Sequence, residues 1–200
     1  MGILFVIQAD VSNCENLNEF YFKIRTQQEI AHGHDYCKHH DAIKKCILEE
    51  DCISYKELGT HQGATAAAAC LANPKILQSI ELIDISFDLF DVNEHLFNSF
   101  CIQNDIIILK NKIDSSNPIS AKNNVDLLLV DSVHTPNHLE KELKIHSSKI
   151  QKFMIFHDTA VNNFRLFKVL ENFIKINLCW NIIEHYTNNY GYTVLKRIKY

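Results

Sequence analysis

From Cys52 onward the chain repeats one pattern: a short apolar run, a polar cluster where the run ends, then a segment of helical period. The runs Ile53 to Leu58, Leu77 to Ile85, Ile106 to Lys110, Val125 to Val130 and Lys152 to Phe156 have strand length and composition. Between them, Ala64 to Leu71, Phe87 to Asn98 and Asn137 to His146 read as helices, as does Asn162 to Lys175 after the last. Asn73-Pro74 stops the alanine-rich helix, because proline cannot continue it. Strands separated by helices need right-handed crossovers, and these make a parallel sheet covered on both faces. The almost unbroken apolar run Val125 to Val130 suits the centre of such a sheet.

Two further strands, Cys179 to Tyr186 and Tyr192 to Ile198, flank Thr187-Asn188-Asn189-Tyr190-Gly191, whose composition signals a hairpin. The first fifty residues differ. Glu15 to Ala31 has loose helical spacing, Gly33 interrupts it, and Tyr36 to Glu49 is amphipathic with Ala42, Ile43, Cys46 and Ile47 as its apolar stripe. The expected fold is therefore α/β: a Rossmann-like, doubly wound, mainly parallel sheet with a C-terminal antiparallel hairpin, preceded by N-terminal helices. Residues 1–200 read as one domain, with 1–50 as a helical segment or lid and 51–200 as the core.

Ligands of such sheets bind at the carboxyl ends of the strands. Those ends hold Glu57-Leu58-Gly59-Thr60-His61-Gln62-Gly63, Asp84, Asp131-Ser132-Val133-His134 and His157-Asp158-Thr159. Two of only five glycines stand in the first turn, where they permit unusual backbone angles and close approach. A dinucleotide site would want a glycine at position 61 to admit a pyrophosphate, and His61 obstructs it. The spacing Gly59 to Gly63 suits a nucleoside without phosphates, with Asp84 placed to accept hydrogen bonds from ribose hydroxyls.

In these stretches the sequence resembles the class I S-adenosylmethionine (SAM)-dependent methyltransferases, above all the small-molecule and sugar O-methyltransferase branch that includes cephalosporin-hydroxylase-like proteins. The matching segments are Tyr55 to Gly63, Asp126 to His134 and Phe153 to Thr159, within a resemblance spanning residues 36–200. It implies methylation of a small-molecule hydroxyl acceptor, such as a sugar or glycosylated metabolite. By the same resemblance Glu57, Gly59, Thr60 and Gly63 line the methionine and ribose end of SAM, Asp84 holds the ribose, and Asp114 with Ser115 lies near the adenine. Asp131 belongs to the same set. Some relatives hold a divalent metal here; Asp131 and Asp158 match two of its ligands, while His157 stands where an acid is usual. Oxygen ligands suit Mg²⁺ and a histidine shifts preference toward a transition metal, so the metal stays open. Without one, His134 or His157 serves as general base.

Other readings stand beside this one. The scaffold could serve another nucleotide-dependent enzyme, such as an oxidoreductase, or a non-catalytic metal- or partner-binding module. Asp84 could cap the next helix, as Ser86 also could. The run His32-Gly33-His34-Asp35-Tyr36-Cys37-Lys38-His39-His40 offers imidazole and thiolate ligands, but in no recognised zinc spacing. It is read as solvated residues at a helix start, or as part of a lid over the substrate. Phe5, Phe20, Tyr21, Phe22 and Tyr36 read as core before acceptor pocket, and Cys52, Cys70, Cys101 and Cys179 as small core residues.

A net charge of -4, with basic residues scattered except for Lys196-Arg197-Ile198-Lys199, speaks against nucleic acid or anionic lipid as partner. Seven cysteines, odd in number and without a C-x-x-C pair, fit free thiols in a reducing cytoplasm. The apolar start Ile3 to Ile7 lacks the length and basic flank of a signal peptide, and Val6 departs from a myristoylation signal. A homo-oligomer is left open.

Overall fold

In a computed structural model, residues 8–198 are described. The apolar start, with Val6 and Phe5, and Lys199 of the basic end lie outside the described residues. Helices α1 (Leu17–His32) and α2 (Lys38–Glu49) lead into β1 (Ser54–Leu58), α3 (Ala64–Ala72), β2 (Ser79–Asp84), α4 (Asp88–Asp91), α5 (Glu94–Gln103) and β3 (Ile107–Lys112). Then come β4 (Val125–Val130), α6 (Pro136–His146), β5 (Ile150–His157), α7 (Arg165–Ile176), β6 (Trp180–Tyr186) and β7 (Tyr192–Arg197). The seven strands form one sheet in the order β3-β2-β1-β4-β5-β7-β6, parallel from β3 to β5, with β7 antiparallel to both its neighbours. The expected doubly wound sheet and terminal hairpin are both present.

Strand periodicity sorts the core into two layers. Leu127, Leu129, Phe153 and Ile155 face one side with α1, α2, α3 and α5, whereas Leu128, Val130, Met154 and Phe156 face the other with α6 and α7. Ala66, Ala67, Ala68 and Ala69 of α3 are all fully buried. Small side chains on every face let this helix lie between the sheet and the N-terminal helices. The stripe Ala42, Ile43, Cys46 and Ile47 enters the same core, so residues 17–49 are part of the packed body.

Two helices and one cysteine differ from the sequence reading. The helix expected over Phe87 to Asn98 is two, α4 and α5, broken at Val92-Asn93. The break lets Phe90 and Phe97 meet, with ring centroids 4.7 Å apart. The helix expected from Asn162 starts at Arg165, because Asn162, Asn163 and Phe164 all take positive φ. Cys179 is half-buried, while Cys52, Cys70 and Cys101 are buried as expected.

One buried polar cluster steadies the loop after β3. Lys56 of β1 pairs with Glu81 of β2 at 2.9 Å and donates to the Ser120 carbonyl, also at 2.9 Å. Glu81 accepts further bonds from Asn111 and Asn123, so the loop carrying Asp114 and Ser115 is tied to the sheet at its base.

Candidate active site

The chain turns back on its own order between β1 and β4, and a cleft of about 640 Å³ opens at the carboxyl ends there. Gly59 makes it possible. Its φ is +89°, and a Cβ at this position would lie 2.2 Å from the Asp131 carbonyl oxygen. The first turn can therefore pass directly over the end of β4. At Gly63, also at φ +89°, a Cβ would lie 2.9 Å from the rings of Phe90 and Phe97. The close approach that these glycines permit is to the protein's own backbone and core.

Asp84, at the tip of β2, organises the turn. Its Oδ2 accepts the backbone N–H groups of Thr60 (2.7 Å) and His61 (3.1 Å), and its Oδ1 accepts that of Ser86. A carboxylate has about four acceptor positions, so three bonds leave Asp84, which lines the cleft, one to spare. Ser86 Oγ accepts from Asp88 N just ahead of the next helix, whose N-cap residue, Phe87, makes no side-chain cap bond. His61 lines the cleft in a left-handed conformation, its proton affinity lowered by burial.

At the far wall the ends of β4 and β5 bring four titratable groups together. His134 Nε2 lies 3.1 Å from Asp131 Oδ1, and His134 Nδ1 lies 3.1 Å from Asp158 Oδ2. His157 Nδ1 lies 3.2 Å from Asp131 Oδ1 and 3.3 Å from Asp158 Oδ1. Asp158 adopts φ +58°, a conformation aspartate tolerates better than most residues. Burial works against the Asp131 charge, yet His157 and His134 outweigh it and hold the carboxyl well below its usual range. Burial likewise opposes a charge on His157, but Asp131 and Asp158 push it up to about 9. Asp158 is raised, chiefly by burial. Asp131 is thus ionised and His157 protonated at neutral pH.

The N-terminal segment closes this wall. His39 is buried, with its ring centroid 4.1 Å from that of His157, and Tyr36 meets His157 edge-on. His39 Nδ1 lies 3.1 Å from the Tyr36 carbonyl, which can only accept; Nδ1 therefore carries the proton and Nε2 is bare. Burial, with His157 and His40 nearby, keeps His39 neutral. The solvated reading of the histidine run holds for His34 and fails for His39 and His40, because α2 turns its start inward against the strand ends.

Gly59, Thr60, Asp84, Asp114, Ser115, Asp131, His134, His157 and Asp158 all line the one cleft. Glu57 and Gly63 lie behind its wall. Glu57 is fully buried, accepts the Tyr55 hydroxyl at 2.5 Å, and is pushed by burial up to about 8. Tyr36 lines the cleft, Phe20 and Tyr21 are core as expected, and Phe22 is exposed. The sequence reading missed Tyr190 and His138, whose Nε2 lies 2.9 Å from Ser115 Oγ. Their only signal was a place in the hairpin and a helix first turn after a polar strand end.

Among the described residues, two sets of three bring metal-ligating atoms within 4.8 Å of one another: His39, Asp131 and His157, and Asp131, His134 and Asp158. The triple Asp131, His157 and Asp158 is not one of them. Each set contains imidazole nitrogen, a poor match to the all-oxygen octahedron that Mg²⁺ demands.

No protein-family model matches the chain, and no curated protein is detectably similar in sequence. Its fold is shared with solved structures. An SAH-bound methyltransferase of Podospora anserina aligns with a TM-score of 0.66 at 12% identity, over 93% of this chain and 89% of that one. An O-methyltransferase of Bacillus cereus in complex with SAH gives 0.61 at 12%, over 95% and 94%. The SAM-bound O-methyltransferase TomG of Streptomyces achromogenes, involved in tomaymycin synthesis, gives 0.57 at 11%, over 94% and 92%. These likenesses show the fold.

Proposed function

We propose that this chain is a SAM-dependent methyltransferase acting on a hydroxyl of a small molecule such as a sugar or glycosylated metabolite, the net charge of -4 speaking against a polyanion. The observation that carries the reading is one cleft with two ends: the Gly59 turn held by Asp84, and the Asp131–His134–Asp158–His157 cluster. Its support from outside is the shared fold with SAH- and SAM-bound methyltransferases. His61 stands where a dinucleotide site would want a glycine, which weighs against a dinucleotide.

SAM, when bound, supplies an electrophilic methyl group on a sulfonium. The turn backbone at Gly59 and Thr60 cradles its ribose end, the free acceptor position of Asp84 takes a ribose hydroxyl, and Asp114 and Ser115 flank the adenine. The acceptor hydroxyl would sit against the Asp131–His134–Asp158–His157 cluster; for His134 to take its proton as the new C–O bond forms, one imidazole nitrogen has to be free of its carboxylate while Asp131 or Asp158 holds the other. The remaining requirement is in-line placement of the two reacting atoms. Among the described residues no helix is long and apolar enough to cross a membrane, and all seven cysteines are unpaired, so we place the reaction in the cytoplasm.

Calorimetric titration with S-adenosylhomocysteine (SAH), in parallel with NAD, tests the reading. Micromolar binding of SAH alone is expected. Because Asp84 also holds the turn, Asp84→Asn is the informative variant: an amide keeps an acceptor for Thr60 and His61, gives up the bond from Ser86 N–H, and presents a donor in place of an acceptor to the ribose. A fall of about tenfold, the worth of one charge-assisted hydrogen bond, is expected. Binding of NAD without SAH would overturn the proposal.

A further inference from the structure

The histidine run in the N-terminal segment has no part in methyl transfer as derived above, yet the fold buries His39 against the reacting centre. We propose that His39, Asp131 and His157 form a binding site for a first-row divalent transition metal, such as Co²⁺, Zn²⁺ or Fe²⁺, and not for Mg²⁺. Three observations support this.

The donor set is two imidazoles and one carboxylate, drawn from the start of α2 and the ends of β4 and β5, with ligating atoms within 4.8 Å of one another. Two nitrogens and an oxygen suit transition metals, and three protein ligands leave coordination positions open. All three residues line the cleft.

His39 is also prepared as a ligand. Its Nδ1–H is committed to the Tyr36 carbonyl at 3.1 Å, which fixes the tautomer and leaves Nε2 as a bare donor. Metal-binding histidines show this second-sphere bond as a rule. Asp131 has the corresponding support from His134, whose Nε2 approaches its Oδ1 at 3.1 Å.

The competing set, Asp131, His134 and Asp158, lacks this preparation. Both nitrogens of His134 are engaged by carboxylates at 3.1 Å, so neither is spare; His157 meets carboxylates through Nδ1 alone, at 3.2 and 3.3 Å, and would bind a metal on giving up its proton. With the metal on His39, Asp131 and His157, His134 keeps its place between Asp131 and Asp158. The metal would also join α2 to the sheet.

The site is defined by its own geometry and does not rest on the methyltransferase reading. The test is titration of chelator-treated full-length protein with CoCl₂, followed by calorimetry and by the visible absorption of bound Co²⁺, with MgCl₂ as competitor. We expect one Co²⁺ per chain, no displacement by Mg²⁺ in large excess, and loss of affinity in His39→Ala. That loss should exceed the roughly 10- to 100-fold typical of removing an outer-sphere partner. His39→Gln, which keeps a polar group at the buried position, gives a second variant should His39→Ala not fold; circular dichroism reports that directly. Undiminished Co²⁺ binding in a folded His39 variant, binding abolished by His134→Ala instead, equal competition by Mg²⁺, or no Co²⁺ binding at all would each overturn the proposal. SAH titration of the same metal-free protein separates the two readings: SAH binding without Co²⁺ binding sinks the metal site and leaves the methyltransferase, and the reverse sinks only the latter.

Discussion

The side-chain amide of Gln62 holds the backbone of Ala9 at both ends, accepting its N–H at 2.7 Å and donating to its carbonyl at 3.0 Å. An amide paired this way imitates one rung of a β-ladder. It ties the stretch before α1 to the turn that forms one wall of the cleft. Gln27 does the same for Asp10, at 2.8 and 2.7 Å.

Replacing Gln62 by Leu keeps most of the volume and removes both bonds, leaving a buried N–H and C=O at Ala9. A cost of about 2 kcal/mol is expected, since each unsatisfied buried group costs roughly 1–3 kcal/mol before relaxation. In a chain of this size that lowers Tm by roughly 4–8 °C. Hydrogen exchange should accelerate first at residues 9–11. Unchanged protection there would show that this stretch is held by other contacts.

Gly59→Ala is expected to cost more than its size suggests. Its Cβ would lie 2.2 Å from the Asp131 carbonyl, so the turn or the end of β4 must move. Positive φ adds roughly 1 kcal/mol for a residue with a side chain. Because Asp131 leads into the His134 cluster, SAH affinity and Tm should fall together. Gly33→Ala is the control. It shares the positive φ, at +102°, but its Cβ would meet only the Asn189 side chain, at 3.5 Å. A Gly59→Ala protein as stable as the Gly33→Ala protein would show that β4 yields at no cost.

Much of this architecture was legible because local chemistry and burial agree. Val125–Val130 matches its expected bounds, since an apolar run covered on both faces has one reading. The residues at the strand ends were likewise legible, as polar clusters after apolar runs are where such sheets place their sites. His39 was not. Its neighbour His157 is 118 positions away, and a polar helix start looks the same whether it meets water or a buried cluster. The break at Val92-Asn93 was hidden for a related reason: Phe90 and Phe97 each fit one continuous helix, and only the packing around Gly63 requires two. Long-range polar contacts and the packing of small residues are what one-dimensional periodicity omits.

The pH dependence of stability should carry a signature of Glu57. Burial raises its carboxyl from about 4.5 to about 8, so the native state keeps a proton that the unfolded chain releases. Its contribution is complete below the unfolded value and is lost as pH rises toward the folded one. In that window wild type should lose stability relative to Glu57→Gln by up to about 1.4 kcal/mol per pH unit. Denaturant unfolding of both proteins at pH 5, 6, 7 and 8 measures the difference directly. A difference independent of pH would mean that Glu57 is ionised in the folded protein.

The Lys56–Glu81 pair makes the last prediction, because its two members carry different burdens. Lys56 is fully buried and has two partners, Glu81 and the Ser120 carbonyl, while Glu81 also accepts from Asn111 and Asn123. Lys56→Met removes the cation and strands a buried carboxylate, a change expected to cost about 3–5 kcal/mol. Lys56→Met combined with Glu81→Gln removes both charges, and the amide oxygen can still accept from one asparagine while its NH2 meets the other once that side chain turns over, so part of that loss should return. The same cation anchors the 3₁₀ turn Pro118–Ala121 behind Asp114 and Ser115. The double variant should therefore recover stability and still bind SAH more weakly than wild type, as the anchor to Ser120 is gone. Equal SAH affinity in the double variant and wild type would show that the loop after β3 is positioned without Lys56.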